Sequence, residues 1–205
     1  MTIQLHNAAK RYNRDWIFRD LTYVFKTGKH FAITGPNGSG KSTLVQILSG
    51  GVFVNKGTCA HQLNNTAISP EKVFKYTSLC APYLELVEEF TLIEFFTFHQ
   101  SFKPFLNGLT IKNIIQEIGL DHARNKRINE FSSGMKQRVK LGQCFFSNTP
   151  LVLLDEPCTN LDAAGIDLYN YLVQRYCNDR LVIVSSNDKQ EYNFCEEVLD
   201  ITAYK

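Results

Sequence analysis

The chain has 205 residues, 44% of them apolar and 20% charged, with a formal net charge of +2. That length supports one sizeable core with room for a subdomain, and the balance excludes a disordered or membrane-embedded chain. No apolar run reaches the roughly eighteen residues of a membrane helix, and Met1–His6 lacks the charged start and apolar block of a signal peptide, so a cytoplasmic protein is expected. Basic clusters are short (Lys10, Arg11 and Arg14, then Arg124, Lys126 and Arg127) and make no stripe for nucleic acid, so no nucleic-acid partner is expected. Six cysteines, Cys59, Cys80, Cys144, Cys158, Cys177 and Cys195, are scattered without a C-x-x-C spacing. They carry no zinc or redox motif and are expected as reduced, mostly buried thiols.

Residues 1–34 read as β structure: Ile3 and Leu5 alternate, as do Leu21, Tyr23 and Phe25. Tyr12 stands in a polar stretch, Lys10-Arg11-Tyr12-Asn13, where it either stacks on a nucleobase or packs at a sheet edge. His30–Thr34 reads as a short buried strand. Gly35-Pro36-Asn37-Gly38-Ser39-Gly40-Lys41-Ser42-Thr43 follows and matches G-x-x-x-x-G-K-[ST], a phosphate-binding loop. Ser42–Ser49 has helical spacing of Leu44, Val45, Ile47 and Leu48, stopped by Gly50-Gly51. Residues 52–80 read as loops and short strands, with a turn at Gly57 and a strand over Phe74–Leu79. From about Leu84 the pattern turns helical. Thr91-Leu92-Ile93-Glu94 is a capping box. It opens a helix carrying Phe95, Phe96, Phe98 and Phe102 and ended by Pro104. That phenylalanine run serves core packing or a partner protein. Leu109, Ile111, Ile114, Ile115 and Ile118 make a second amphipathic helix, closed by Gly119. A third runs on from Phe131-Ser132-Ser133-Gly134-Met135 through Val139, Leu141, Cys144 and Phe145. Leu151–Leu154 is apolar throughout and too short for a buried helix, so it reads as a parallel strand buried on both faces, with Asp155-Glu156-Pro157 at its end. Asp162 caps a helix through Ile166, Tyr169, Leu172, Val173 and Tyr176. Leu181–Val184 is a second buried strand leading to Ser185-Ser186-Asn187-Asp188. A short helix and a strand over Val198–Ile201 close the chain.

A strand, a glycine-rich turn and a helix form a cradle for phosphates, because backbone N–H groups and the helix dipole both favour an anion there. Lys41 would reach the β- and γ-phosphates and Ser42 would ligate Mg²⁺. An apolar strand ending in an acid supplies the second metal contact, here Asp155, and the adjacent Glu156 can act as general base toward water. Phosphate-loop chemistry alone fits ATPases and GTPases, but the N-K-x-D segment that reads guanine is not present.

With these motifs in this order the chain resembles the ATP-binding cassette (ABC) family over nearly its whole length. Gly35–Thr43 is similar to the family's GPNGSGKST. Ser132-Ser133-Gly134-Met135-Lys136-Gln137-Arg138 resembles a relaxed form of its LSGGQ signature, with Ser132 and Gly134 retained. Leu151–Pro157 resembles its strand plus Asp-Glu-Pro, and Asn160-Leu161-Asp162 its D-loop. Tyr12 stands where the family places the aromatic that stacks on adenine. The resemblance implies an α/β fold: a mostly parallel core sheet, an N-terminal antiparallel β subdomain and an inserted α-helical subdomain over about 84–145, all within a single domain, 1–205. It implies ATP and Mg²⁺ as ligands and a head-to-tail homo- or heterodimer in which Ser132 and Gly134 of one subunit close the site of the other. It also implies separate transmembrane permease subunits, contacted by the helical block, that hold the chain at the cytoplasmic face of the membrane.

Two positions depart from the family pattern. Tyr83, in Ala81-Pro82-Tyr83-Leu84-Glu85, stands in place of a Gln, and Asn187 in place of a His that contacts the γ-phosphate. Asn can donate a hydrogen bond to phosphate but does not titrate near neutral pH. Hydrolysis that survives at a reduced rate is the expectation, since Lys41 and Glu156 remain. The alternatives are a soluble ABC-type switch not involved in transport, and an ATP clamp with slow or no turnover.

Overall fold

A computed structural model describes residues 1–205. The chain is α/β and divides into two compact units. The first comprises Met1–Leu79, Pro150–Asp155 and Asp179–Lys205. Here β1 (Thr2–Tyr12) and β2 (Asp15–Lys26) form a long hairpin, followed by β3 (His30–Thr34) and α1 (Lys41–Leu48). Next come β4 (Lys56–Leu63), β5 (Thr66–Ile68) and β6 (Thr77–Cys80). After the second unit's helices the chain returns as β7 (Leu151–Asp155), β8 (Leu181–Ser185) and β9 (Glu197–Asp200). The strands make a four-stranded antiparallel sheet, β2-β1-β4-β5, and a five-stranded sheet, β6-β7-β8-β3-β9, in which β7–β8, β8–β3 and β3–β9 pair in parallel.

Alternation explains the first sheet: Ile3, Leu5, Leu21 and Phe25 are buried while their neighbours along each strand face outward. Every residue of β7 and β8 is buried, as a parallel strand covered on both faces requires. Leu44, Val45, Ile47 and Leu48 of α1 join Ile3, Phe25, Ile33, Leu153 and Ile183 in one core shared by both sheets.

The second unit comprises Cys80–Thr149 and Glu156–Asn178. It holds α2 (Leu92–Phe102), α3 (Ile111–Glu117), α4 (Ser133–Phe146) and α5 (Ala163–Tyr176). Thr91 and Glu94 form the capping box expected of α2, and Thr110 and Asn113 form an equivalent one for α3. The phenylalanines of α2 divide: Phe95 and Phe96 are buried, whereas Phe98 and Phe102 are exposed and meet edge-on in sequence with Phe90. Helix α4 carries Gly142 at its centre, where a Cβ would lie 3.0 Å from Ile118 Cγ2 and 3.2 Å from the Phe96 ring. The helix accepts the ~0.5–1 kcal/mol propensity cost of glycine in return for that close approach. Phe145 meets Tyr169 and Phe146 meets Tyr176 edge-on, which seats α5 on α4.

Three expectations for single elements are corrected. Gly57 is not a turn but lies inside β4 at φ 72°, opposite a register shift in β1. A Cβ there would be 2.2 Å from Asn7 O, so only glycine allows this bulge. Phe74–Tyr76 belong to a 3₁₀ turn, Pro70–Tyr76, rather than to a strand, which begins only at Thr77. Pro70 at the first helical position favours that turn, and Phe74 faces solvent. Ile201 leaves the last strand for a 3₁₀ turn, because the Asp200 side chain accepts from Thr202 N–H. None of the six cysteines forms a disulfide; Cys80, Cys144 and Cys177 are buried and the other three are half-buried.

His99 of α2 sits between the Phe95 and Phe105 rings with Nε2 2.8 Å from Ser147 Oγ. Burial, aided by the Lys103 ammonium, lowers its pKa to about 4. A histidine held neutral in the fold but titrating normally when unfolded contributes stability fully above about pH 6.5, and loses it as pH falls toward 4. The expected loss is up to roughly 3 kcal/mol. Chemical denaturation from pH 7 to pH 4 should show it, and His99→Gln should flatten that slope.

Candidate nucleotide site

Helix α1 begins unlike its neighbours. Helices α2, α3, α4 and α5 each start on a side chain that accepts a first-turn N–H. Helix α1 starts on Gly40, with no side-chain cap and no acid in its first turn. Its leading amides have no side-chain acceptor, which is what a helix end that donates to an external anion requires. Gly40 is left-handed at φ 106°, and a Cβ on it would be 2.2 Å from Ile17 Cγ2 of β2. Gly40→Ala is thus expected to destabilise the fold by roughly 1–3 kcal/mol and to abolish the rise in thermal midpoint that ATP produces in the parent chain.

The loop around this helix end is internally bonded. Lys41 is 5% exposed, and its ammonium donates to Gly35 O at 2.7 Å and Pro36 O at 3.4 Å. Ser39 N–H closes on Pro36 O, while the buried Ser39 hydroxyl has no partner in the chain. Asn187 joins the loop directly: its Oδ1 accepts from Gly35 N–H at 3.3 Å and its Nδ2 donates to Asn37 Oδ1 at 3.2 Å. Gly38 lies at φ 76° with open space where a Cβ would be, and Ser42 and Thr43 occupy the first turn of α1.

Sheet register brings the carboxyl group to the same end. Ile33 of β3 and Asp155 of β7 both pair with Ser185 of β8. The loop after β3, the end of β7 and the segment after β8 thus share the carboxyl edge of the sheet, where ligands of open α/β sheets bind. Asp155 is 1% exposed, and neither carboxylate oxygen has a partner in the chain. An unpaired carboxyl group is costly to bury, and a hard cation with oxygen ligands satisfies it. The residues present therefore fit a divalent cation at Asp155.

Tyr12 ends β1 opposite Asp15, 45% exposed, with the Lys10 ammonium 4.9 Å above its ring. Ile17, further along the same hairpin, lies on Gly40. Sequence reasoning missed Ile17, whose signal was only that of one more apolar strand residue.

Glu156, Ser132, Gly134 and Asp162 belong to the second unit. Ser132 caps α4, its hydroxyl oxygen accepting from Met135 N–H at 3.2 Å, so Ser133, Gly134 and Met135 form the first turn of that helix. Asp162 Oδ1 accepts from Gly165 N–H at 2.8 Å, the cap expected of it, and lies 3.4 Å from Arg138 Nη2. Glu156 has φ 45°, and Thr159 Oγ donates to its carbonyl. Tyr83 is exposed, and Glu85 lines a cleft of about 420 Å³ with Glu88, Lys136 and Lys140. Gln137, which the sequence placed in the signature-like stretch without a role of its own, is 3% exposed and donates to Pro157 O at 2.6 Å. Its signal was legible: with Leu141, Cys144 and Phe145 it falls on the buried stripe of α4, where an amide needs a partner.

A parallel strand, a glycine-rich loop, an uncapped helix and a buried strand-end carboxyl group define a P-loop nucleoside triphosphatase. Residues 18–159 match the family model described as ABC transporter. The uncharacterized ABC transporter ATP-binding protein YybJ of Bacillus subtilis is 25% identical over 204 residues, covering 97% of this chain and 92% of that protein. The cytochrome c biogenesis ATP-binding export protein CcmA of Xylella fastidiosa is 30% identical, covering 82% of this chain and 75% of that protein. A solved structure described as a dimeric post-hydrolysis state of the cassette MJ0796 with ADP and Pi superposes at a TM-score of 0.82 and 21% identity, over 97% of this chain and 94% of that one. The chain belongs to the ABC transporter family, as an ATP-binding, ATP-hydrolysing member.

Proposed function

We propose that the chain binds MgATP on the Gly35–Thr43 loop and hydrolyses it as one of two paired subunits, driving separate transmembrane partners. The observation that carries this reading is the buried, unpartnered carboxyl group of Asp155 at the sheet edge it shares with the loop. Lys41 exchanges its carbonyl contacts for phosphate oxygens, and the amides of α1 donate to the same group. Ser42 and Asp155 would hold the cation, whose chemistry when bound would be to neutralise phosphate charge. Glu156 accepts a proton from the attacking water. Tyr12 supplies a ring face for adenine. Asn187 replaces one or both of its loop contacts by a hydrogen bond to the terminal phosphate.

The second half of the site comes from the other subunit. With Met135 N–H taken by the Ser132 hydroxyl, the Ser133 and Gly134 amides at the start of α4 form a second anion-binding turn, with Asp162 on the loop beside it. Support for pairing comes from the similar MJ0796 cassette, which is described as dimeric with ADP and Pi. ATP then joins two subunits and hydrolysis releases them, a population shift set by γ-phosphate contacts. No helix is long and apolar enough to cross a membrane; the separate membrane subunits, and the place beside them at the cytoplasmic face, are part of the same proposal. The names of YybJ and CcmA, an ABC transporter ATP-binding protein and an ATP-binding export protein, support the same assignment.

The test is phosphate release from ATP by the purified chain, with and without Mg²⁺, alongside its sedimentation in ATP. Metal-dependent release and an ATP-dependent shift to a dimer are expected. A chain that binds ATP without releasing phosphate would leave the clamp reading, and a chain that does not bind ATP would overturn both.

A further inference from the structure

Glu156 is strained. Its left-handed φ of 45° is costly for any residue with a Cβ, and Pro157 behind it disfavours the helical and left-handed regions further. Such geometry costs about 1–3 kcal/mol and persists only where surrounding contacts over-determine it. Those contacts are few and specific. Thr159 donates to the Glu156 carbonyl through its N–H at 3.2 Å and its hydroxyl at 2.9 Å. Gln137 Nε2 donates to the next carbonyl, Pro157 O, at 2.6 Å, and its other hydrogen bond is a weak one to Cys80 Sγ at 3.6 Å.

We infer that Gln137 is a positioning residue for Glu156, and that α4 links the Ser132–Gly134 turn mechanically to the turn that carries the base. The inference rests on the reading of Glu156 as general base and of the Ser132 turn as phosphate-facing. Successive points of one helix meet one loop, residues 156–162. A Cβ on Gly134 would stand 3.1 Å from Asn160 O, Gln137 holds Pro157 O, and Arg138 lies against Asp162. An α-helix is bonded from each residue to the fourth beyond it, so a shift of its first turn reaches its second nearly undiminished. A phosphate seated on the Ser132 turn of one subunit is therefore reported to the Glu156 of that same subunit. The two active sites of a pair are thereby coupled through Gln137.

The test uses the full chain in three measurements. Gln137→Leu keeps the volume on the buried face of α4 and removes the donor. Its kcat for ATP is expected to fall on the order of 10- to 100-fold with KM unchanged, because the base is displaced and nucleotide binding is not. The double variant Gln137→Leu with Glu156→Gln is expected to be no slower than Glu156→Gln alone, since both changes act through one group. Without nucleotide, the Thr159 and Leu161 amides are expected to exchange hydrogen faster in Gln137→Leu. Should the leucine variant not fold, Gln137→Glu removes the donor with nearly the same shape and carries the same comparisons. A wild-type kcat, additive losses in the double variant or unchanged exchange would each overturn the inference. The two readings fail separately. Glu156→Gln at the wild-type rate removes the base itself, whereas slow Glu156→Gln beside fast Gln137→Leu removes only the positioning role.

Discussion

Replacing Glu156 by Gln is expected to lower the rate of phosphate release by roughly 10²–10⁴-fold, the usual contribution of a positioned general base. Nucleotide binding should survive, because the phosphate contacts of the reading lie on the Gly35–Thr43 loop and α1, and the glutamine adds no charge there. The variant should therefore accumulate with ATP bound and sediment as a persistent dimer where the parent chain cycles. Gln is nearly isosteric with Glu and tolerates the same strained backbone no worse, so the thermal midpoint without nucleotide should stay within about 2 °C. Single-turnover phosphate release, ATP binding and sedimentation together separate loss of chemistry from loss of binding. Unchanged release would remove Glu156 from the reaction.

Asp155→Asn is expected to act in two directions at once. Both carboxylate oxygens are buried without a partner, so the native chain holds this group at a cost in stability. Removing its negative charge should raise the stability of the nucleotide-free chain by about 1 kcal/mol, which for a domain of this size corresponds to a rise in thermal midpoint of about 2–4 °C. Turnover should fall by at least about 10²-fold, the scale seen when one preorganised electrostatic group at a reacting centre is lost. Calorimetry without ATP and phosphate release with ATP and Mg²⁺ check the two halves independently. A lower midpoint in the apo chain would show that Asp155 is a structural carboxyl group, and full activity would show that it holds no cation. Opposite signs in stability and activity are the mark of a residue placed for a ligand rather than for the fold.

What could be read in advance follows the range of the interactions involved. The glycine-rich turn between β3 and α1 was legible because its pattern is local: glycines for close backbone approach and a lysine and hydroxyl at fixed offsets. The strand Leu151–Asp155 was legible because four apolar residues before an acid leave few other readings. Capping boxes span four residues, and the one at Thr91 was read correctly. Gly57 was misread because its reason lies fifty residues away, at the carbonyl of Asn7. Phe74 was misread because aromatic residues favour strands, while Pro70 upstream set a turn. Ile17 and Gln137 were passed over for the same cause. Each is ordinary in its own segment and acquires meaning only against Gly40 or Pro157, which the fold brings to it.

Lys41 resting on the Gly35 and Pro36 carbonyls has a further consequence. The loop holds its own cation on two backbone carbonyls and is already closed into shape by internal bonds. Fixing a residue's backbone costs about 1–2 kcal/mol in lost conformational freedom, and in this segment that entropy is surrendered during folding rather than at ligand capture. In the proposed reading the two carbonyls hold the place of phosphate oxygens, accepting from the ammonium until a nucleotide supplies other acceptors. Arrival of a nucleotide would then be a change of acceptors around an ammonium already in place, rather than the ordering of a flexible lid.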